Sequence, residues 1–130
     1  MYILTIRTDK PEAELGLYKD NQEVSYYKWQ AHRELSSTIH KKLKEQLELQ
    51  KLNLHNLDGI VIYKGPGSFT GLRIGFSVAN SLSYSIDIPI VSESGEDWIE
   101  EGLRRLKMSE NEKISIPEYG ALPNITKPKK

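Results

Sequence analysis

The hydrophobic period of the chain changes once, near residue 30, and that change bounds what it can fold into. Up to Trp29 the apolar residues sit in short β-branched and aromatic runs: YILTIR at 2–7, AELGLYK at 13–19 and VSYYKW at 24–29. Residues 8–11 and Asp20-Asn21 supply turn chemistry between the runs, so the three read as an antiparallel strand meander. From Glu34 onward Leu35, Ile39, Leu43 and Leu47 recur every four residues, which predicts a helix ending near Gln50. Steps of four overshoot a helical turn by about 40° each, so this stripe drifts around the helix. Leu52, Leu54 and Leu57 fall in a connection marked by Asn53 and Asn56. Asp58-Gly59 then opens the continuous apolar run Ile60-Val61-Ile62-Tyr63, the pattern of a strand buried on both faces. That run feeds GPGSFTGLRIG, residues 65–75, and a second helix to about Ile86. IPIVS, residues 88–92, predicts a last central strand, and a final amphipathic helix is expected around Trp98, Leu103 and Leu106.

The resulting order, β-β-β-α-β-α-β-α, predicts an α/β domain over residues 1–108 with a five-stranded mixed sheet and helices on its faces. It is also the layout of a ribonuclease-H-like half, the building unit of the actin and sugar-kinase superfamily. Residues 109–130, with Pro117, Pro123 and Pro128 and little periodicity, are expected to form a Pro- and Lys-containing tail. A length of 130 residues holds one core and not two. The 18 basic residues balance 18 acidic ones, which argues against nucleic-acid binding through bulk positive charge and against polybasic membrane attachment. The absence of cysteine excludes disulfides, thiolate zinc sites and cysteine nucleophiles. Arg7, Asp9 and Lys10 interrupt the first apolar stretch before a signal-peptide core forms, and Arg73 and Asn80 interrupt the longest other one. A cytoplasmic chain is the expectation.

Gly65-Pro66-Gly67-Ser68 joins a buried strand to a helix, so its first task is a sharp turn with Ser68 as helix N-cap. Phosphate motifs do not fit the segment that continues through Phe69, Thr70 and Gly71. A Walker loop needs a lysine followed by Ser or Thr, and the dinucleotide fingerprint needs G-x-G-x-x-G where this chain has G-x-G-x-x-x-G. A hydrolase elbow needs G-x-S-x-G, and here Ser68 follows Gly67 directly. His32, His40 and His55 lack metal-ligand spacing, so neither a metal nor another cofactor is expected. In the second helix Phe69, Leu72, Phe76, Ala79, Ser83 and Ile86 form one face, and Ile74, Val78 and Leu82 a second apolar row. Gly71, Gly75, Ala79 and Ser83 form a row of small residues that would admit another helix. A helix this apolar calls for cover on more than one side, in part from a partner chain.

GPGSFTGLRIG, with IVIY before it and IPIV after it, resembles the hallmark of the TsaB (YeaZ) family. That family is the non-catalytic partner subunit in making threonylcarbamoyladenosine beside the tRNA anticodon. The resemblance covers residues 1 to 107, and more weakly the segment 117–128. It implies no catalytic residues in this chain and a TsaD-type catalytic subunit as partner, with a TsaE-type ATPase as a further one and tRNA met indirectly. By resemblance, the contact is a bundle of helices 34–50 and 68–86, with Leu35, Ile39, Leu43, Arg73, Phe76, Ser77 and Asn80 at or near it. A homodimer is the alternative arrangement where the partner is missing. Two departures stand out. The family's first strand ends I-D-T-S, where this chain has Ile6-Arg7-Thr8-Asp9. In the wider superfamily an aspartate there serves the metal and phosphates, and Arg7 replaces it. The chain also reads as a shortened form lacking most of the family's second subdomain. Two other functions compete with the scaffold: a small nucleotide-binding, ATPase-like domain using the 65–70 turn, and a homodimeric structural module.

Overall fold

Asp20 and Asn21 both adopt positive φ, 50° and 70°, the left-handed pair that a two-residue hairpin requires. They join β2 (Glu12–Lys19) to β3 (Gln22–Gln30), so β3 begins two residues before the aromatic run. This computed structural model describes residues 1–118; the weaker resemblance at 117–128 and the terminal lysines lie mostly or wholly outside them. β1 (Tyr2–Arg7) pairs antiparallel with β2, completing the expected meander. β4 (Leu57–Tyr63) pairs parallel with β1, and β5 (Ile90–Glu93) parallel with β4. The sheet is five-stranded and mixed, in the order β3-β2-β1-β4-β5. Leu57 belongs to β4 and is buried, three residues before the run that marks the strand in sequence.

Strand alternation sorts the core into two layers. Ile60 and Ile62 of β4 point to one face with Leu4, Ile6, Leu15, Leu17 and Ile90, and are covered there by α1 (Leu35–Leu49) and α2 (Phe69–Ile86). Val61 and Tyr63 point to the other face with Ile3 and Val91, and are covered by α3 (Trp98–Lys107). β4 is therefore buried on both faces, as its unbroken apolar run predicts. Polar side chains fix how α1 lies on the meander. Trp29 Nε1–H donates to Thr38 Oγ1 at 3.0 Å, and buried Gln46 donates to the Leu15 carbonyl at 3.0 Å and to Ser25 Oγ at 2.8 Å.

β5 corrects the expectation of a central strand: it lies at the sheet edge. Its start is also later than expected, because Asp87 closes α2 in a left-handed conformation and the Ile88 N–H still bonds back to the Ser83 carbonyl at 3.0 Å. An edge strand leaves unpaired backbone groups, and side chains satisfy these. The Ile90 N–H donates to Asn111 Oδ1 at 3.1 Å, the Ser92 N–H to Glu112 Oε2 at 3.0 Å, and Arg105 Nη1 donates to the Ser92 carbonyl at 2.9 Å. The Glu112 N–H completes the set on the Ile90 carbonyl at 2.8 Å. The first part of the expected tail thus bonds to β5, and the Glu118 N–H donates to the Lys64 carbonyl, just after β4, at 2.7 Å. No helix among the described residues is long and apolar enough to cross a membrane.

Candidate functional site

The glycine-rich turn is built against the end of β1. The Ser68 N–H donates to the Asp9 carbonyl at 2.9 Å, and Ser68 Oγ caps α2 by accepting the Gly71 N–H at 3.2 Å. A Cβ at Gly67 would collide with Asp9, one at Gly71 with the Thr8 carbonyl, and one at Gly75 with the Thr8 hydroxyl. Gly65 has φ 104°, precedes Pro66 in a cis peptide, and sits against the Glu118 carbonyl. The glycines thus admit close approach by the chain's own Thr8, Asp9 and Glu118. Pro66, Phe69 and Thr70 form the exposed lip of the turn, with the Arg73 guanidinium 5.4 Å from the Phe69 ring centre.

Beside this turn, Arg7 holds the buried Asp9 carboxylate with two bonds, Nε to Oδ1 at 2.8 Å and Nη2 to Oδ2 at 3.2 Å. The same guanidinium lies 3.9 Å from the centre of the Tyr63 ring, and Trp98 meets that ring edge-on at 5.5 Å. Burial alone would lower the Arg7 pKa; the bonds and charge of Asp9 outweigh it and raise the value. At the strand end where the resemblance has an aspartate, this chain places a permanent cation paired to the nearest acid. Among the described residues no three His, Cys, Asp or Glu side chains stand together as a metal site.

The seven residues expected at a partner contact separate into two groups. Leu35, Ile39, Leu43 and Phe76 are buried in the chain's own core, where the sheet beneath covers the α1 stripe and the Phe76 face of α2, and Leu43 also reaches the wall of a groove between α1 and α2. The small-residue row is also turned inward. Gly71 and Gly75 face Thr8, Ala79 is buried, and Ser83 Oγ donates to the Ile88 carbonyl at 2.5 Å. Arg73 and Ser77 lie on the exposed ridge of α2, while half-buried Asn80 is bonded to residue 115.

The outward side of the helical layer has its own concavity. A groove of about 600 Å³ runs between α1, α2 and the turn at Leu54–Asn56, with Leu43, Leu47, Leu52, Val78 and Leu82 as its apolar walls. His40, Lys44, Glu48, His55, Ser81 and Ser85 form its polar rim. Half-exposed Leu54 adds to its wall, and Tyr84, at 89% exposure, stands outward on α2. Val78 and Leu82 of the second apolar row of α2 line this groove, the part of it that periodicity marks. Leu52 and Leu54 carried no such signal, because they lie in an irregular connection where periodicity has no meaning.

The family model described as TsaD, tRNA N6-adenosine threonylcarbamoyltransferase, matches residues 29–99. That stretch contains α1, β4, α2 and β5. The tRNA threonylcarbamoyladenosine biosynthesis protein TsaB of Buchnera aphidicola subsp. Acyrthosiphon pisum is 34% identical over 92 residues, 71% of this chain and 41% of that protein. YeaZ from Pseudomonas aeruginosa superposes with a TM-score of 0.68 at 20% identity, covering 78% of this chain and 50% of that one. RuvC of T. thermophilus superposes with a TM-score of 0.54 at 8% identity, covering 92% and 85%. The two structural likenesses are of fold, and they place the sheet and its helices in the ribonuclease-H-like class. The chain spans about two fifths of the length of the curated relative, 41%.

Proposed function

We propose what this chain does from what it is: a member of the family of the tRNA N6-adenosine threonylcarbamoyltransferase model, on its TsaB (YeaZ) branch. In this reading it takes part in making tRNA threonylcarbamoyladenosine as a non-catalytic scaffold subunit. It docks on a TsaD-type catalytic subunit through the outward face of α1 and α2. The groove between those helices is the observation that carries the reading: it is apolar, open and formed by helices within the family match. A partner of the same family brings an equivalent helix pair, so the two pairs can pack about an approximate two-fold axis. A TsaE-type ATPase and tRNA are met through that partner, in the cytoplasm. Without the partner the same face pairs two copies of this chain. The Arg7–Asp9 pair and the filled glycine turn favour a scaffold over an ATPase-like domain. Arg7 engages the Asp9 carboxylate, and the turn glycines pack against Thr8, Asp9 and Glu118.

The reading is tested by titrating the chain into a TsaD-type subunit, beside a Ser77→Arg, Ser81→Arg double variant. Both serines are exposed on the α2 ridge, so the arginines leave the fold intact in water but lose hydration under a partner. Binding weakened by about tenfold or more, roughly 1.4 kcal/mol, with an unchanged melting temperature is the expected result. A folded variant that binds as the parent does removes this face as the docking surface. ATP hydrolysis by the chain alone, abolished by changing Ser68 or Thr70, would replace the scaffold with the nucleotide enzyme.

A further inference from the structure

The α2 ridge has a second flank, away from the groove, and the strap of residues 111–118, which runs beside β5, meets it at Asn80. Asn80 fastens the strap as a strand would: its Nδ2–H donates to the Ser115 carbonyl at 3.0 Å, and its Oδ1 accepts the Ser115 N–H at 2.8 Å. Ser115 Oγ donates to Glu112 Oε1 at 2.6 Å, and Glu112 is held in turn by Ser92 and by Arg105 Nη2 at 3.0 Å. With Ser115 turned inward and buried, its neighbours Ile114 and Ile116 are turned outward, each 72% exposed. Two β-branched apolar side chains on a fastened segment form a fixed apolar surface, with little ordering left to do on binding.

Their position relates them to the groove. At about 100° per residue, Asn80 lies roughly 40° from Tyr84 and 60° from Ser77 around α2, and Val78 and Leu82 lie about 160° or more away. Arg73, Ser77 and Tyr84 therefore form a ridge with the apolar groove on one side and Ile114 and Ile116 on the other. A body seated in the groove and across that ridge overlies the strap.

We infer that Ile114 and Ile116 are a second apolar contact of the docking face, received by apolar side chains of the TsaD-type subunit that occupies the groove. The inference rests on the docking reading above and adds to it a contact outside the helix pair. Its test compares three proteins for binding to that subunit: the parent, Ser77→Arg with Ser81→Arg, and Ile114→Ser with Ile116→Ser. The isoleucine variant is expected to bind at least tenfold more weakly with an unchanged melting temperature. If it binds as the parent does while the arginine variant fails, the strap contact is overturned and the docking reading stands. If the parent does not bind, both fall. A photo-crosslinking amino acid at position 116 of the otherwise unchanged chain gives a second readout that does not depend on the folding of the double variant. Adducts with the TsaD-type subunit support the contact; no adduct, or adducts only with a second copy of this chain, overturn it.

Discussion

Thr8 stands where the Cβ of residues 71 and 75 would be, and this decides how the glycine-rich string is understood. Replacing a helical glycine by alanine ordinarily gains up to about 1 kcal/mol. At Gly71 the obstacle is the Thr8 carbonyl, a backbone atom with no rotamer to change. Gly71→Ala is therefore expected to destabilise the chain by about 1–3 kcal/mol in urea denaturation. A variant as stable as the parent or more so would mean that packing against Thr8 does not require glycine at this position. The string's spacing already excluded the familiar phosphate loops and left a tight strand-to-helix junction. Its packing partners, Thr8 and Asp9, are some sixty residues away, and no local pattern encodes such a meeting. Arg7 shows the same division. Its departure from the family's strand end is visible in one dimension, whereas its bidentate hold on Asp9 and its stacking on Tyr63 exist only after folding.

Among the elements, the strap over residues 111–118 was the least legible. It has no helical or strand period, and it is held mainly by side chains reaching backbone groups, an arrangement that no propensity scale describes. Glu112 is its principal tie. Burial would raise the pKa of its carboxyl, but bonds from Ser115, Ser92 and Arg105 prevail and hold it below the ordinary glutamate value. A pKa lowered in the folded state stabilises fully above the unfolded value of about 4.3, and the contribution is lost as pH falls through the folded one. Glu112→Gln is thus expected to melt below the parent at neutral pH, with the gap closing below pH ~4. A gap that does not change with pH would assign the tie to shape and not charge. The edge position of β5 escapes the sequence for a related reason. Its apolar residues mark burial on two faces, and they say nothing about whether Asn111, Glu112 and Arg105 or a sixth strand completes its edge.

For the whole molecule, the three layers followed from periodicity, because alternation in β1 and β4 and the stripes of the helices each have one arrangement that buries them. The exposed face was harder to read. The Leu35, Ile39 and Leu43 stripe and the Phe76 face identify surface that must be covered, but not whether a sheet or a partner covers it; the sheet does. What remains outward is the groove and the α2 ridge on one side, with the strap along the neighbouring sheet edge between α2 and α3, while α3 covers the opposite face of the sheet. The central claim is that this side is where a TsaD-type subunit sits. Hydrogen exchange of the full chain, with and without that subunit, measures it directly. The claim predicts slowed exchange over residues 35–49, 69–86 and 111–118, with α3 unchanged. Slowing confined to α3, or no change anywhere at saturating partner, would contradict it.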